Sequence, residues 1–253
     1  SLLRITNLTP LNKQNTLVVV PALNEQESIS AVVDAVKSVG FQVLVVDDGS
    51  SDETYSIAKR SGALVMELSM NLGVGGALQS GFAYAIANGF DAVVQVDGDD
   101  QHSAESIEKL IAAANSTNAD MVIGSRFLDD ASSMKLPIVR RIGMAILRIY
   151  ASSSCRTKIT DSSSGFRLIR QPLLAEFAKS FPSHYLGDTF EALTVSGRKN
   201  YKVIEIPAPF RERQFGKSSS TSLVSLFLVF RALFVVTFGL HFRLSKNSQT
   251  RAD

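Results

Sequence analysis

Val43-Leu44-Val45-Val46-Asp47-Asp48-Gly49-Ser50 runs four apolar residues, three of them β-branched, straight into two carboxylates and a turn. An unbroken apolar run of that length, closed by Asp-Gly, reads as a strand buried on both faces. The same pattern recurs on either side. Upstream, residues 17–20 form a β-branched run ended by Pro21, and Ile29, Val32, Val33 and Val36 then follow at helical spacing within 25–39. Downstream, Asp52 is placed to cap a helix reaching about residue 61, residues 63–68 read as a third strand, and 74–88 as a Gly- and Ala-rich helix. Residues 92–96 are a fourth strand ending at Asp97-Gly98-Asp99, Ser103 is placed to cap a helix over 104–117, and Met121-Val122-Ile123 is a fifth strand. Apolar strands alternating with helices predict an α/β fold with a mostly parallel sheet covered on both faces. Ligands of such sheets sit beyond the carboxyl ends of the strands. Segments 21–25, 47–50, 97–101 and 124–127 therefore gather around one crevice. The second half is less regular: a helix over 137–154, a loop leading into a strand across 160–170, helices over 171–180 and 186–197, and a strand over 203–206 ended by Pro207-Ala208-Pro209.

With 253 residues, the chain suits one elaborated domain plus an appendage. Its 45% hydrophobic and 20% charged residues argue for a folded protein. The lone Cys155 excludes an internal disulfide framework and any multi-cysteine metal site, and reads as a small half-buried residue rather than a nucleophile. Three histidines leave little room for a His-rich zinc site. The net charge of +2 hides an asymmetry. Residues 211–253 hold seven Lys/Arg against two Asp/Glu, whereas residues 1–210 hold nineteen against twenty-two. The acidic body divides from the basic, apolar tail at about residue 210, which predicts a domain over 1–210, a membrane-proximal segment over 211–253, and an anionic surface as the tail's partner. Nucleic acid is not expected as that partner, because no helix-turn-helix, zinc-finger or aromatic-basic pattern stands out. No secretory leader is expected at the start, since the first long apolar run reads as a strand.

The carboxylates carry the chemistry. In Val94-Gln95-Val96-Asp97-Gly98-Asp99-Asp100-Gln101-His102, acids spaced i and i+2 follow a buried strand directly. Such acids can converge on one hard cation, Mg²⁺ or Mn²⁺, whose remaining ligands would come from water and a diphosphate. A solvated acidic turn is the plainer reading of the same residues. In Asp47-Asp48-Gly49-Ser50-Ser51-Asp52, Asp52 reads as the helix cap and Asp48 as the better candidate to accept hydrogen bonds from a nucleobase imide or a ribose. Asn71-Leu72-Gly73-Val74-Gly75-Gly76-Ala77-Leu78 is not a dinucleotide fingerprint, because Leu78 stands where the last glycine belongs; a phosphate-binding Gly-Lys-Ser/Thr loop is also missing there.

Taken in order and spacing, Val20-Pro21-Ala22-Leu23-Asn24-Glu25, Val45-Val46-Asp47-Asp48-Gly49-Ser50-Ser51-Asp52, Asn71-Leu72-Gly73 with Ala77, and Asp97-Gly98-Asp99-Asp100-Gln101-His102 resemble the inverting family 2 glycosyltransferases of GT-A fold. The subgroup most resembled is that of the dolichol-phosphate mannose synthase-like, or polyprenyl-phosphate, glycosyltransferases. Gly124-Ser125-Arg126-Phe127, Asp161 with Gly165-Phe166-Arg167, and Pro209-Phe210-Arg211-Glu212-Arg213 with Gly216-Lys217-Ser218 extend the likeness over roughly residues 17–220. The resemblance implies a Rossmann-like, mostly parallel central sheet flanked by helices, with a C-terminal apolar helix. It implies that Pro21, Leu23, Glu25 and Asp48 line the nucleoside pocket, with Asp97 and Gly98 on the same donor side. It further implies that Asp97, Asp99 and Gln101 hold Mg²⁺ or Mn²⁺ against the donor diphosphate, and that Arg126 and Arg213 contact phosphate oxygens. Arg211 and Lys217 are balanced between ligand contact and surface ion pairing. Gly98 and Asp100 depart from the commoner Ala and Leu of the subgroup, placing an extra carboxylate in the segment. The chain has no Trp, so the Gln-x-x-Arg-Trp motif of the processive polysaccharide synthases is missing.

The activity this implies is transfer of a hexose from a nucleotide-diphosphate sugar, with GDP-mannose and UDP-glucose leading, to a polyprenyl or dolichyl phosphate. A lipid phosphate attacks already ionised, whereas a hydroxyl acceptor needs a base. For the base, Asp188 and Glu191 in Tyr185-Leu186-Gly187-Asp188-Thr189-Phe190-Glu191 come first and Asp161 third. Asp188 at a helix start reads equally well as an N-terminal charge partner. Residues 223–240 are apolar apart from Ser225, Arg231 and Thr237, which is near the minimum for a bilayer span. Arg231 in the middle argues against one. The tail therefore points to the cytoplasmic face of a membrane, held peripherally or by the C-terminal segment, or to a membrane partner or a second protomer. The competing readings are a transferase using a soluble or protein hydroxyl acceptor, a non-catalytic nucleotide-sugar scaffold, and a nucleotidyltransferase. The last would carry a Gly-rich segment where Pro21-Ala22-Leu23-Asn24-Glu25 stands.

Overall fold

The apolar runs form strands of one sheet, and alternate residues of each strand feed opposite layers. The computed structural model describes residues 8–98, 104–128, 138–182 and 188–208. Among these, β1 (Thr16–Ala22), β2 (Gln42–Asp47), β3 (Leu64–Glu67), β4 (Ala92–Gln95), β5 (Met121–Ser125), β6 (Arg167–Arg170) and β7 (Val203–Pro207) lie in the order β3-β2-β1-β4-β6-β5-β7. The helices are α1 (Ile29–Ser38), α2 (Thr54–Arg60), α3 (Gly73–Ala87), α4 (Glu105–Thr117), α5 (Ile138–Cys155), α6 (Leu173–Lys179) and α7 (Asp188–Arg198). Val18, Val20, Val43, Val45, Val94 and Leu168 pack with α1 and α4 on one face, while Leu17, Val19, Leu44, Val46, Val93 and Ile169 pack with α3, α6 and α7 on the other. Both faces are apolar, as a sheet sandwiched between helices requires.

The expected mostly parallel sheet is present, with one strand reversed. β1 pairs in parallel with β2 and β4, β2 with β3, and β5 with β7, but β6 runs antiparallel between β4 and β5. Two boundaries differ from the sequence reading for local reasons. Pro21 lies inside β1 rather than ending it. The ladder to β4 has stopped at the Val19–Gln95 pair, so the missing N–H of Pro21 costs no bond on that side. The first helix begins at Ile29 instead of 25, because the amides of Glu25 and Gln26 are taken by Thr54 Oγ1 and the Asp52 carboxylate.

No helix among the described residues is long and apolar enough to cross a membrane. The expected apolar helix over 223–240, and the whole of segment 211–253, lie outside the described residues.

α7 is pressed onto the C-terminal end of α5 through Gly197. A Cβ there would fall 2.5 Å from the Ser154 carbonyl carbon and oxygen and 2.6 Å from the Cys155 nitrogen. Backbone cannot rotate aside, so overpacking costs about 1–3 kcal/mol, against about 1 kcal/mol of helix propensity gained over glycine. Gly197→Ala is expected to destabilise the fold by up to about 2 kcal/mol net, read as a lower urea midpoint at unchanged slope.

Candidate active site

The crevice is built where β1 and β4 end side by side, and the helices switch faces there: α1 covers one layer and α3 the other. On the β1–β2 side, two loops are laced together. Asn24, in left-handed backbone (φ 55°), donates its amide to Ser50 Oγ at 2.9 Å, and its own Oδ1 accepts the Ser51 amide at 2.9 Å. Thr54 Oγ1 accepts the Glu25 amide at 2.8 Å. Asp52 accepts the Thr54 amide at 2.9 Å and the Gln26 amide at 3.3 Å, so it serves the start of α2. Thr54's hydrogen bonds, with that from Gln26, outweigh desolvation and hold the Asp52 carboxyl below its ordinary value.

Of the residues expected to line a nucleoside pocket, Pro21, Leu23, Glu25 and Asp48 all come to this end of the sheet. Leu23 is exposed, while Asp48 is buried. Asp48 Oδ1 accepts the Leu72 amide at 2.7 Å, which ties the entry of α3 to the end of β2. Asp47 turns inward and accepts the Ser50 amide at 3.0 Å. Gly98 packs beside Glu25 and the Pro21 carbonyl, each 3.5 Å from where its Cβ would stand, which joins the β4 end to the β1 end.

The β4–β6–β5 side is charged. A Cβ on Gly165 would lie 2.6 Å from both carboxylate oxygens of Asp97, so only a glycine leaves that carboxylate its place. Arg126, directly after β5, grips Asp161 with a two-pronged pair: Nε to Oδ2 at 2.7 Å and Nη2 to Oδ1 at 2.9 Å. Nη2 also donates to Ser163 Oγ at 2.8 Å. The Asp161 side chain is fully buried, and burial alone would raise its pKa; the hydrogen bonds and charge of Arg126 outweigh that and hold it below the ordinary value. The same hydrogen bonds raise the pKa of Arg126 against desolvation, helped by the charges of Asp161 and Asp97. Glu205 of β7 anchors the loop from below, accepting the amides of Thr160 at 2.8 Å and Asp161 at 2.7 Å. Arg167 is wholly buried. Burial lowers its pKa to about 10, and the charges of Asp161 and Asp97 oppose the fall, so it stays charged at neutral pH. The Cys155 thiol is pushed up to about 11, chiefly by burial, and sits 3.4 Å from the Leu193 carbonyl, a packing position with no thiolate at neutral pH.

The geometry brings Glu25, Asp48, Asp97, Gly98, Arg126 and Asp161 to one end of the sheet. Asp188 and Glu191 lie in the first turn of α7, on the layer toward which Arg167 points. Asp99, Gln101 and Arg213, with Asp100, Arg211 and Lys217, lie outside the described residues. No cluster of three metal-binding His, Cys, Asp or Glu side chains occurs among the described residues. Two partnerships escaped the sequence reading. The Arg126–Asp161 pair spans thirty-five positions and Glu205 another forty-four, and no local signal links them.

The family model described as "Glycosyl transferase family 2" matches residues 17–177. The chain is 31% identical over 215 residues to the polyprenol monophosphomannose synthase of Mycolicibacterium smegmatis, covering 81% of this chain and 80% of that one. It is 25% identical over 240 residues to the UDP-N-acetylglucosamine–dolichyl-phosphate N-acetylglucosaminyltransferase of Methanococcus voltae, covering 88% and 96%. Glucosyl-3-phosphoglycerate synthase of Mycobacterium tuberculosis, solved with Mn²⁺, uridine diphosphate and glucosyl-3-phosphoglycerate, superposes with a TM-score of 0.62 at 21% identity, over 87% of this chain and 78% of that one. That likeness shows the GT-A fold.

Asp161 is ionised in the fold and its pKa is depressed, so its contribution to stability is complete above the ordinary aspartate value and is lost as pH falls through the lower folded value. Asp161→Asn is expected to cost about 1–3 kcal/mol at neutral pH. The gap between wild type and variant should stay constant above pH ~5 and shrink below pH ~4, measured by urea unfolding across that range.

Proposed function

The chain belongs to glycosyl transferase family 2 and is a glycosyltransferase, and on that premise we propose that it moves a hexose, with inversion, from a nucleotide-diphosphate sugar to a polyprenyl phosphate or a related lipid phosphate. One observation supports this reading above the others. Buried Asp48, the Asp97 carboxylate and the clamped Arg126 stand at the carboxyl ends of three strands of one sheet, and the relative 31% identical across most of the chain is named for polyprenol monophosphomannose synthesis.

The residues suit a hard divalent cation. Mg²⁺ and Mn²⁺ take oxygen ligands, and the bare backbone of Gly165 leaves the space beside both Asp97 oxygens that a Cβ would fill. Asp97, with Asp99 and Gln101 of the same segment, would hold it. When bound, the ion would supply electrostatic neutralisation of the departing diphosphate. On the nucleoside side, Asp48 is set to accept from the base or ribose, while Pro21, Leu23 and Glu25 wall the pocket. Arg126 brings a permanent charge to the end of β5; with Nε and Nη2 taken by Asp161 and Ser163, it would act on phosphate oxygens chiefly through that charge, joined by Arg213. Asp161 positions Arg126: its oxygens already receive Arg126 and Ser163, and its depressed pKa makes it a weak base. A lipid phosphate arrives ionised and needs no base at all. A hydroxyl acceptor would have to give its proton to Asp188 or Glu191.

A panel of GDP-mannose, UDP-glucose and UDP-N-acetylglucosamine, offered with polyprenyl phosphate or with soluble hydroxyl acceptors, separates these outcomes. The expected product is a lipid-linked sugar of inverted anomeric configuration, lost on chelation with EDTA and restored by Mn²⁺ or Mg²⁺. Asp99→Asn is expected to lower transfer about 10²–10³-fold, the usual loss when an electrostatic support of the transition state is removed. Full transfer in EDTA would overturn the metal assignment. Transfer to hydroxyl acceptors alone would overturn the lipid assignment.

The basic, apolar segment 211–253 suits a membrane surface on the cytoplasmic side. The whole chain is expected to sediment with anionic vesicles and to be released by salt, with weaker binding to neutral vesicles. Equal partition to both, or to neither, would remove the electrostatic role of the tail.

A further inference from the structure

Arg167 is the largest fully buried side chain of the described residues, and it is a cation in the middle of the sheet. Its place follows from the reversed strand. β6 runs against β4 and β5, so its first residue lies where those strands finish, paired with Gln95 and Ile123. The alternation along β6 sends Phe166 and Leu168 to one layer, and Arg167 with Ile169 to the layer that holds α7. There the guanidinium divides its arms. Nε donates to the Ser164 carbonyl at 2.7 Å, and Nη1 donates to the Thr189 carbonyl at 2.6 Å. Ser164 adjoins Gly165, the residue against which the Asp97 carboxylate rests. Thr189 lies in the first turn of α7, the turn that Asp188 opens and Glu191 completes. Nη2 has no partner among the described residues.

A side chain chosen for stability alone would not leave a buried guanidinium arm unsatisfied, since an apolar residue of the same length avoids that cost. The two arms in use instead join the support of the Asp97 carboxylate to the first turn of α7, which carries Asp188 and Glu191. We propose that Arg167 is a positioning residue that sets the first turn of α7 relative to Asp97, and so aligns the acceptor with the donor's anomeric carbon. This rests on the transferase reading above, with α7 on the acceptor side. A planar fork can bridge two carbonyls that a single ammonium cannot, and misalignment at the reacting atoms suppresses transfer far more than donor binding.

The experiment compares the full chain with Arg167→Lys and Arg167→Met, using polyprenyl phosphate and whichever donor the wild type turns over. It measures donor KM, acceptor KM, kcat for transfer, and release of nucleotide by donor hydrolysis. Both variants are expected to keep donor KM within twofold. Transfer should fall at least tenfold while hydrolysis is spared, so that the transfer-to-hydrolysis ratio drops at least tenfold, with Lys no better than partial rescue. A ratio within twofold of wild type would overturn the proposal, as would transfer and hydrolysis falling in step, the mark of a purely structural loss. Arg167→Lys keeps charge and bulk, and it decides the matter alone if Arg167→Met does not fold. A wild type that passes sugar to no phosphate acceptor would instead defeat the lipid-phosphate reading on which this rests, a result visible before any variant is made.

Discussion

Because β6 runs against β4 and β5, its incoming loop rather than its outgoing one lies beside the ends of those strands. The charge pairing on the β4–β6–β5 side depends on that reversal. The loop over 160–166 brings Asp161 under Arg126 and lays Gly165 against Asp97, and the strand it feeds carries Arg167 into the interior. A parallel β6 would deliver Asp161, Gly165 and Arg167 to the opposite end, leaving Arg126 without its carboxylate partner and Asp97 without the charge of Arg167. The two apolar layers hold the reversal in place, since a one-residue slip of β6 would exchange Leu168 with Arg167 between the faces.

The charge arrangement is costly to bury and therefore closely partnered. Asp161 is wholly enclosed, yet it remains ionised because Arg126 meets both of its oxygens and Ser163 adds its amide and hydroxyl. Glu205 contributes from the far edge of the sheet by accepting backbone amides, so its carboxylate orders the loop rather than the ligand. Pairs of this kind lose more when one member is removed than the intact pair adds. They act as fasteners for geometry more than as sources of stability.

Much of the first half was legible because its signals are local. Apolar runs closed by acids mark strands and their ends, and Asp48 and Asp97 lie at the strand ends where that logic puts them, while Asp52 serves its helix as its position before Thr54 suggests. What stayed hidden depends on contacts far apart in the chain. Nothing in residues 160–170 announces a reversed strand, because a short buried strand looks alike in either direction. Arg126 and Asp161 could each be singled out as charged residues near strand ends, but not as one clamp. Pro21 reads as a strand stop, yet β1 continues through it, because the rule against proline in strands concerns a hydrogen bond that at this position has no neighbour to receive it.

The lacing of the β1 and β2 loops has a consequence for binding. Asn24, Glu25 and Gln26 are held by Ser50, Ser51, Asp52 and Thr54 through the backbone, so this wall is rigid before any ligand arrives. Immobilising a loop on association consumes free energy that a preformed wall conserves. This half of the crevice is thus preformed, and a ligand that meets it spends little on ordering the wall.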